Sequence, residues 1–458
     1  MTSTMTTRAS AEEAAESADL ALLSGPDSAG LVEAVLSAEA ADVAAIQDLQ
    51  VQVDQVHHRP GSGVSVGYRI SYRTPAGQFR DYVVASTSPQ AGDGPGVAVL
   101  DDGDRTVRMW RRSSDPALPG LRQAVDPVWV HHWLTGAGLE LAPAKQMNID
   151  VLSYRPTRRA VLRVSSDAAV VYLKILPPRR SAALAKRHQL LQDAQVPAPR
   201  LLARSADGIL ALSAARGRPM AEAVAAYGSR PDELPAPQAL VQWLDRLPPG
   251  VSELRRRPSW SDRVAFHART ASGTLGDRSG EITELGSRLA DFLADLPEED
   301  LVPTHGDYYE ANVFTEAGQV RDVIDVDSLG PGRRSDDLAT MLGHLAVLPA
   351  LAPQTYAEAH RVIRKTQEAF EAQVPPRSLR ARTAAVVLSL VGGARTDQAN
   401  ARLDEAQEWF ASAGRTRRGA ARHLRELSSA APAGLIHGAE DQSITRTTRE
   451  AGQSKEKS

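Results

Sequence analysis

Between Leu301 and Ala339 the chain reads LVPTHGDYYEANVFTEAGQVRDVIDVDSLGPGRRSDDLA, a run that few folds can accommodate. His305-Gly306-Asp307 opens a loop, and Asn312 ends it five residues after Asp307. Val313–Phe314 and Val320–Ile324 predict two short strands joined by the turn Glu316-Ala317-Gly318-Gln319. Asp325 and Asp327 follow at the end of the second strand, on one face if the strand period of two continues through them. A hairpin this short brings Asp307, Asn312 and Asp325 to one end.

That grouping suits phosphoryl transfer. The reaction needs a carboxylate that orients and deprotonates a hydroxyl, and oxygen ligands that hold Mg²⁺ on nucleotide phosphates. The order Asp-x4-Asn, hairpin, Asp matches the catalytic and metal-binding loops of kinases. His305 is grouped with Asp307 as catalytic, supporting the loop by hydrogen bonding, and Gly306 permits close backbone approach. Taken singly, Asp307 and Asn312 could be turn or cap residues, and Asp325-Val326-Asp327 a solvated strand end. A His-x-Asp metallohydrolase is disfavoured because the other His residues show no ligand spacing.

Composition supplies an independent observation. Only six of the 53 basic side chains are Lys, the rest being Arg, so a Lys inside an apolar strand needs its own reason. Lys174 stands in such a strand, Val170–Leu176, where a kinase-type site places the Lys that meets nucleotide phosphates. A snorkelling surface Lys is the alternative, but this chain uses Arg for that purpose. Zero Cys excludes disulfides, thiolate metal sites and a Cys nucleophile. A net charge of −3 gives no general attraction to nucleic acid, and Arg255–Arg257 lies in a balanced background. No window has the apolar length of a membrane span, and the acidic N-terminus does not read as a signal peptide. A cytoplasmic protein is expected.

The 458 residues predict more than one unit. Residues 1–48 read as a helical or disordered extension and 428–458 as a disordered tail. Between them, a β-rich half hides a repeat: Val53–Tyr68 and Ile149–Val164 each run strand, Arg-Pro, turn, strand, with Arg59-Pro60 and Arg155-Pro156 at a spacing of 96. Third strands follow at Asp81–Ser86 and Ala169–Leu176, and only the second carries a Lys. The segment 115–121, DPALPGL, reads as a rigid connector, and residues after 180 are mainly helical in pattern.

With these residues assembled, the stretch Asn148–Leu427 resembles the aminoglycoside phosphotransferase and choline kinase-like superfamily. The likeness rests on His305-Gly306-Asp307 with Asn312, on Ile324-Asp325-Val326-Asp327, on Asp336-Asp337-Leu338-Ala339, on Lys174 and on Val196–Arg200 ahead of a hinge near Leu210–Ala215. It implies an α+β, protein kinase-like two-lobe fold: an antiparallel β N-lobe over 146–213 and a mainly helical C-lobe over 214–427, preceded by a small β-rich cap over 49–145. The cap is similar to the N-terminal cap of bacterial maltokinase-like and glucosamine kinase-like enzymes. The resemblance implies Asp307 as base, Asn312 and Asp325 on Mg²⁺, Asp327 on metal or acceptor, Lys174 on ATP phosphates and Asp337 as a structural anchor. Pro156-Thr157-Arg158-Arg159 has no Gly to cradle phosphates, so Arg158 or Arg159 is expected to contact them instead. The helix after Lys174 offers no mid-helix acid to pair with it, only Asp193 at its end.

The leading reading is an ATP-dependent kinase acting on a hydroxyl of a small molecule: a sugar, amino sugar or aminocyclitol. The acceptor pocket is expected from Tyr309, Glu310 and the helices around Tyr356–Phe370 and Arg380–Gly393. Basic residues outnumber acids through Tyr356–Leu427, which disfavours a polycationic acceptor. The competing reading is a weak or inactive pseudokinase that binds nucleotide and serves interaction. A protein kinase is disfavoured because Val326-Asp327 stands in place of Phe-Gly and no Ala-Pro-Glu follows.

Overall fold

The structure, a computed structural model, describes residues 15–26, 28–39, 46–58, 62–75 and 77–415. Arg59-Pro60 of the first repeat, residues 1–14, the C-lobe beyond 415 and the tail at 428–458 lie outside them.

Two helices, α1 (residues 15–24) and α2 (Ser28–Glu39), precede the first sheet. They are not a detached extension: Leu23, Val32, Val35 and Leu36 are buried against that sheet. Its strands are β1 (Gln47–His58), β2 (Val64–Thr74), β3 (Gly77–Ser86), β4 (Val97–Asp101) and β5 (Thr106–Arg111). After the short helices α3 (Leu121–Ala124) and α4 (Pro127–Gly136) comes a second sheet of β6 (Asn148–Arg155), β7 (Arg159–Ser165), β8 (Val170–Ile175), β9 (Leu201–Arg204) and β10 (Ile209–Ser213). Both sheets are antiparallel, with spatial orders β1-β2-β3-β5-β4 and β6-β7-β8-β10-β9. The repeat seen as paired Arg-Pro hairpins is thus a repeat of five-stranded topology.

Strand alternation decides which faces meet. Ala160, Leu162 and Val164 of β7, Leu173 and Ile175 of β8 and Ala211 of β10 form one apolar core with Tyr82, Val84 and Trp110 of the first sheet. The sheets therefore bury equivalent faces against one another, with Leu121 and Leu134 of α3 and α4 in the same core. Lys174 faces away, in register with Val161 and Leu210. At the matching place in the first sheet Ala85 pairs Val66 and Met109, all buried beneath α1 and α2. In the first sheet that face is covered by α1 and α2, whereas in the second Leu210 of the same face packs with Leu184 and Leu191 in the core of the helical lobe.

Only the second repeat inserts a long helix after its third strand, α5 (Pro178–Asp193), which starts with Pro at its N-terminus and buries Leu184 and Leu191. The chain then enters a mainly helical lobe. It comprises α6 (Met220–Ala225), α7 (Pro237–Asp245), α8 (Val264–Thr274), α9 (Ser279–Ala294), α10 (Arg334–Leu351), α11 (Ala359–Glu371), α12 (Pro376–Ser389) and α13 (Thr396–Ala413). Set into it are β11 (Arg218–Pro219), β12 (Val302–Thr304), β13 (Val313–Glu316), β14 (Gln319–Val323) and β15 (Gly330–Gly332). The run Ala384–Leu388 within α12 is buried core, as its apolar continuity predicts. Among the described residues no helix is long and apolar enough to cross a membrane.

Candidate active site

The predicted hairpin forms between β13 and β14. Ala317 and Gly318 both take positive φ, 48° and 70°, the primed two-residue turn whose twist matches its strands. Pairing returns the chain to Asn312, whose carbonyl accepts from Ile324 N at 2.9 Å. The loop before it is held from two sides. Asp337, buried at the start of α10, accepts from the backbone amides of His305 (2.8 Å) and Gly306 (2.7 Å). Burial pushes the Asp337 carboxyl up to about 7, and these two amides pull it back. Gly306 sits at φ 77°, and a Cβ there would meet Ser328 O at 2.7 Å, so no other residue fits without a shift.

His305 is enclosed completely. Its Nδ1 accepts from Asp307 N at 3.3 Å, which leaves the proton on Nε2 to donate to Ile324 O at 3.0 Å. Burial depresses its pKa to about 4, so the ring is neutral and both nitrogens are committed. His305 is closed to solvent, and its two bonds tie the loop to the end of β14.

Asp325 and Asp327 do not share a face through strand periodicity as expected. The strand ends at Val323, Asp325 takes a left-handed conformation (φ 58°, ψ 50°), and Asp327 lies in a 3₁₀ turn, Val326–Ser328. The reversal still delivers both carboxylates to Lys174, whose Nζ donates to Asp325 Oδ1 at 2.9 Å and to Asp327 Oδ2. Burial opposes the charge on Lys174, but the two carboxylates outweigh it and raise the amine. Burial likewise opposes ionisation of Asp325, yet the ammonium and Arg159 hold its carboxyl well below the usual range, while burial and Asp325 raise Asp327.

These contacts supply the partner that α5 lacks. Its Asp193 accepts from Gln189 instead (2.7 Å), and Ser181, Arg187 and His188 are the buried polar groups of the helix. Arg187 donates to Leu329 O at 3.0 Å, and His188 Nδ1 lies 3.0 Å from Pro199 O.

The two arginines of the β6–β7 turn separate. Arg159 approaches Asp325 at 3.9 Å. Arg158 lines a different cavity, of 270 Å³, between its own turn and cap residues such as Ser65 and Ser88, so it is not among the groups brought to Lys174. With no Gly in the turn, Thr157 takes the left-handed position (φ 59°). Asp115 of the connector steadies it, accepting from Thr157 N (2.8 Å) and Tyr154 Oη (2.7 Å). Tyr154 Oη in turn accepts from Trp110 Nε1 at 3.1 Å.

Asn312 donates from Nδ2 to Asp307 O at 2.9 Å, leaving Oδ1 as its ligand atom. Oδ1 and the carboxylates of Asp325 and Asp327 make an oxygen donor set that fits a hard cation such as Mg²⁺. Among the described residues no group of three or more His, Cys, Asp or Glu side chains is placed to hold a metal ion. Burial and the Asp325 charge push Asp307 up to about 6, against a pull from Trp260. Trp260 and the segment around it went unmarked in the sequence, where Arg255–Arg257 lies in a balanced background. In the structure this segment walls a cavity beside Asp307. Of the residues expected at the acceptor, Tyr309 stacks on His344 (4.1 Å between ring centres) and Glu310 is buried.

Residues 154–352 match the model of a phosphotransferase enzyme family, and all the groups gathered around Lys174 lie within that span. Solved structures similar to the chain include an aminoglycoside phosphotransferase of Streptomyces rimosus (20% identity over 58% of this chain and 98% of that one, TM-score 0.38). Another is a thermostable mutant aminoglycoside phosphotransferase in ternary complex with ADP and hygromycin B (15% identity, 59% and 95% covered, TM-score 0.40). An ethanolamine kinase of Plasmodium vivax is also similar (12% identity, 61% and 88% covered, TM-score 0.36). No curated protein matches the chain. Over the segment 154–352, less than half of its length, the chain is thus similar to a phosphotransferase enzyme family.

Proposed function

We propose that the chain transfers the γ-phosphoryl group of ATP to a hydroxyl of a small molecule, a sugar, amino sugar or aminocyclitol. One observation carries this reading: Lys174 of the sheet meets Asp325 and Asp327 just beyond the β-hairpin, and Asn312 anchors the Asp307 loop at that same open end of the hairpin. Lys174 and Arg159 are the cations for the nucleotide phosphates. Asp325, Asp327 and Asn312 would hold Mg²⁺, which when bound neutralises charge on the β- and γ-phosphates. Asp307 orients the acceptor hydroxyl and takes its proton. The hydroxyl oxygen bonds to the γ-phosphorus, the bond to the β-phosphate oxygen breaks, and ADP leaves. A carboxylate raised to about 6 ionises below neutral pH yet is more basic than an exposed one, which favours proton acceptance near pH 7. His305 and Asp337 position the loop and touch neither reactant.

Asp307→Asn is expected to lower kcat by about a thousandfold or more, the scale of a lost base together with its positioning. Mg·ATP should still raise the melting temperature of the variant. Turnover at the wild-type rate would remove Asp307 from the mechanism. The pseudokinase reading would be favoured only if Mg·ATP bound and no acceptor were ever phosphorylated.

A further inference from the structure

The helix α5 offers Lys174 no mid-helix acid, yet a buried cation joins it to the site by another route. Arg187 donates from Nε to Leu329 O at 3.0 Å and from Nη1 to Ala183 O, one turn back in the helix, also at 3.0 Å. Leu329 is completely buried and directly follows the 3₁₀ turn that carries Asp327; its own N–H closes that turn on Val326 O at 3.2 Å. The helix packs against the turn, and Leu184 and Leu191 lie in one core with Val326 and Leu329. His188, the next residue, ties the helix to the segment ahead of β9 by donating from Nδ1 to Pro199 O. Burial depresses the His188 pKa to about 4, so its ring is neutral. Burial also disfavours the charge on Arg187, Arg257 adds to that, and Asp327 is the carboxylate that opposes them. The entry to the turn is held separately, by Asn312 O on Ile324 N and by His305 on Ile324 O. Arg187 is the side chain that holds Leu329 O at the exit.

Resting on the phosphotransferase reading, we infer that Arg187 is a positioning residue for the metal-binding carboxylates: through Leu329 O it fixes the exit of the turn that presents Asp327. In protein kinases a helix acid pairs with the strand Lys. Here the helix grips the turn whose carboxylates pair with that Lys. A guanidinium bonded to a carbonyl is a charge-assisted contact, and removing it strands a buried acceptor. The turn then loses its anchor two residues after Asp327. The cations for the nucleotide, Lys174 and Arg159, stand on β8 and β7, which are held by strand pairing. Loss of Arg187 therefore falls on Mg²⁺ and not on the nucleotide itself.

The test is calorimetric titration of ADP into the full chain in EDTA, and of Mg²⁺ into the chain saturated with ADP, for the parent, Arg187→Met and Arg187→Lys, with melting temperatures alongside. Arg187→Met keeps the aliphatic stem and loses the donor. Mg²⁺ should then bind roughly 10–100-fold more weakly, the usual cost of removing a group that orients a metal ligand, while ADP affinity in EDTA changes less than about twofold. Arg187→Lys keeps a cationic donor and should stay within about threefold of the parent for Mg²⁺. A merely structural Arg187 would lower the melting temperature and leave the Mg²⁺ constant where it was. If Arg187→Met does not fold, Arg187→Gln, which lacks both the charge and the reach, carries the same prediction. Mg²⁺ affinity unmoved in the variant without the donor, or lost equally in Arg187→Lys, overturns the inference and leaves the phosphotransferase reading standing. A parent chain on which Mg²⁺ neither binds nor strengthens ADP overturns both.

Discussion

Two residues show how the site divides its electrostatics. Asp307 ionises late, because burial and the neighbouring Asp325 charge push it up to about 6. The base works in its ionised form, so kcat is expected to fall as pH drops through about 6 and to level off above it; a flat profile from pH 5 to 8 would contradict that role. Lys174 has the opposite task, compensating two carboxylates in a buried setting. Lys174→Ala leaves Asp325 and Asp327 facing each other with only Arg159, 3.9 Å from Asp325, as a nearby cation. The expected result is a KM for ATP raised tenfold or more, equivalent to at least about 1.4 kcal/mol, read from initial rates at varied ATP. Lys174, Asp307, Asn312, Asp325 and Asp327 were all legible in the sequence, the first because Lys is rare here and the rest because their order is local. Trp260 was not legible. Its relation to Asp307 is made by tertiary packing, and a Trp after three Arg carries no periodic or spacing signal.

At the level of elements, the β6–β7 turn does without glycine because another element holds it. Asp115, from the connector between the sheets, is buried and accepts from Thr157 N and Tyr154 Oη; burial raises its carboxyl against those bonds. Asp115→Ala would leave both donors unpaired, at an expected cost of about 2–4 kcal/mol in denaturant unfolding. A turn released from its anchor should also weaken ATP use, which initial rates at limiting ATP would detect. If unfolding is unchanged, the turn is held by something else. The connector's Pro and Gly residues marked it as rigid in the sequence, but which polar groups Asp115 would meet depends on sheet packing that no local pattern encodes. The period-two rule failed at Asp325 for a related reason: the strand ends early, and a left-handed residue followed by a 3₁₀ turn sets the direction of both carboxylates.

For the molecule as a whole, the two five-stranded sheets are one structural unit seen twice and used differently. They share a core through equivalent faces, so the cap backs the strand that carries Lys174. Trp110 is completely buried in that core and donates to Tyr154. Trp110→Ala is expected to cost about 3–5 kcal/mol, the range for a large aromatic deleted from a packed interior. Because Leu173 and Ile175 lie in the same core, the two five-stranded sheets should unfold in a single transition in the variant as in the parent. Two separated transitions would show that the cap is independent. The duplicated hairpins were visible in the sequence, and the matching order of five strands was not, since β4 and β5 lack any motif in common with β9 and β10. The central claim is phosphoryl transfer by the Asp307 loop. It is tested most directly by phosphorus NMR of the full chain with Mg·ATP and a panel of sugars, amino sugars, aminocyclitols and aminoglycosides. The account predicts a new phosphomonoester resonance formed together with ADP, and none with Asp307→Asn. No phosphomonoester from the parent chain, or an equal yield from the variant, would contradict it.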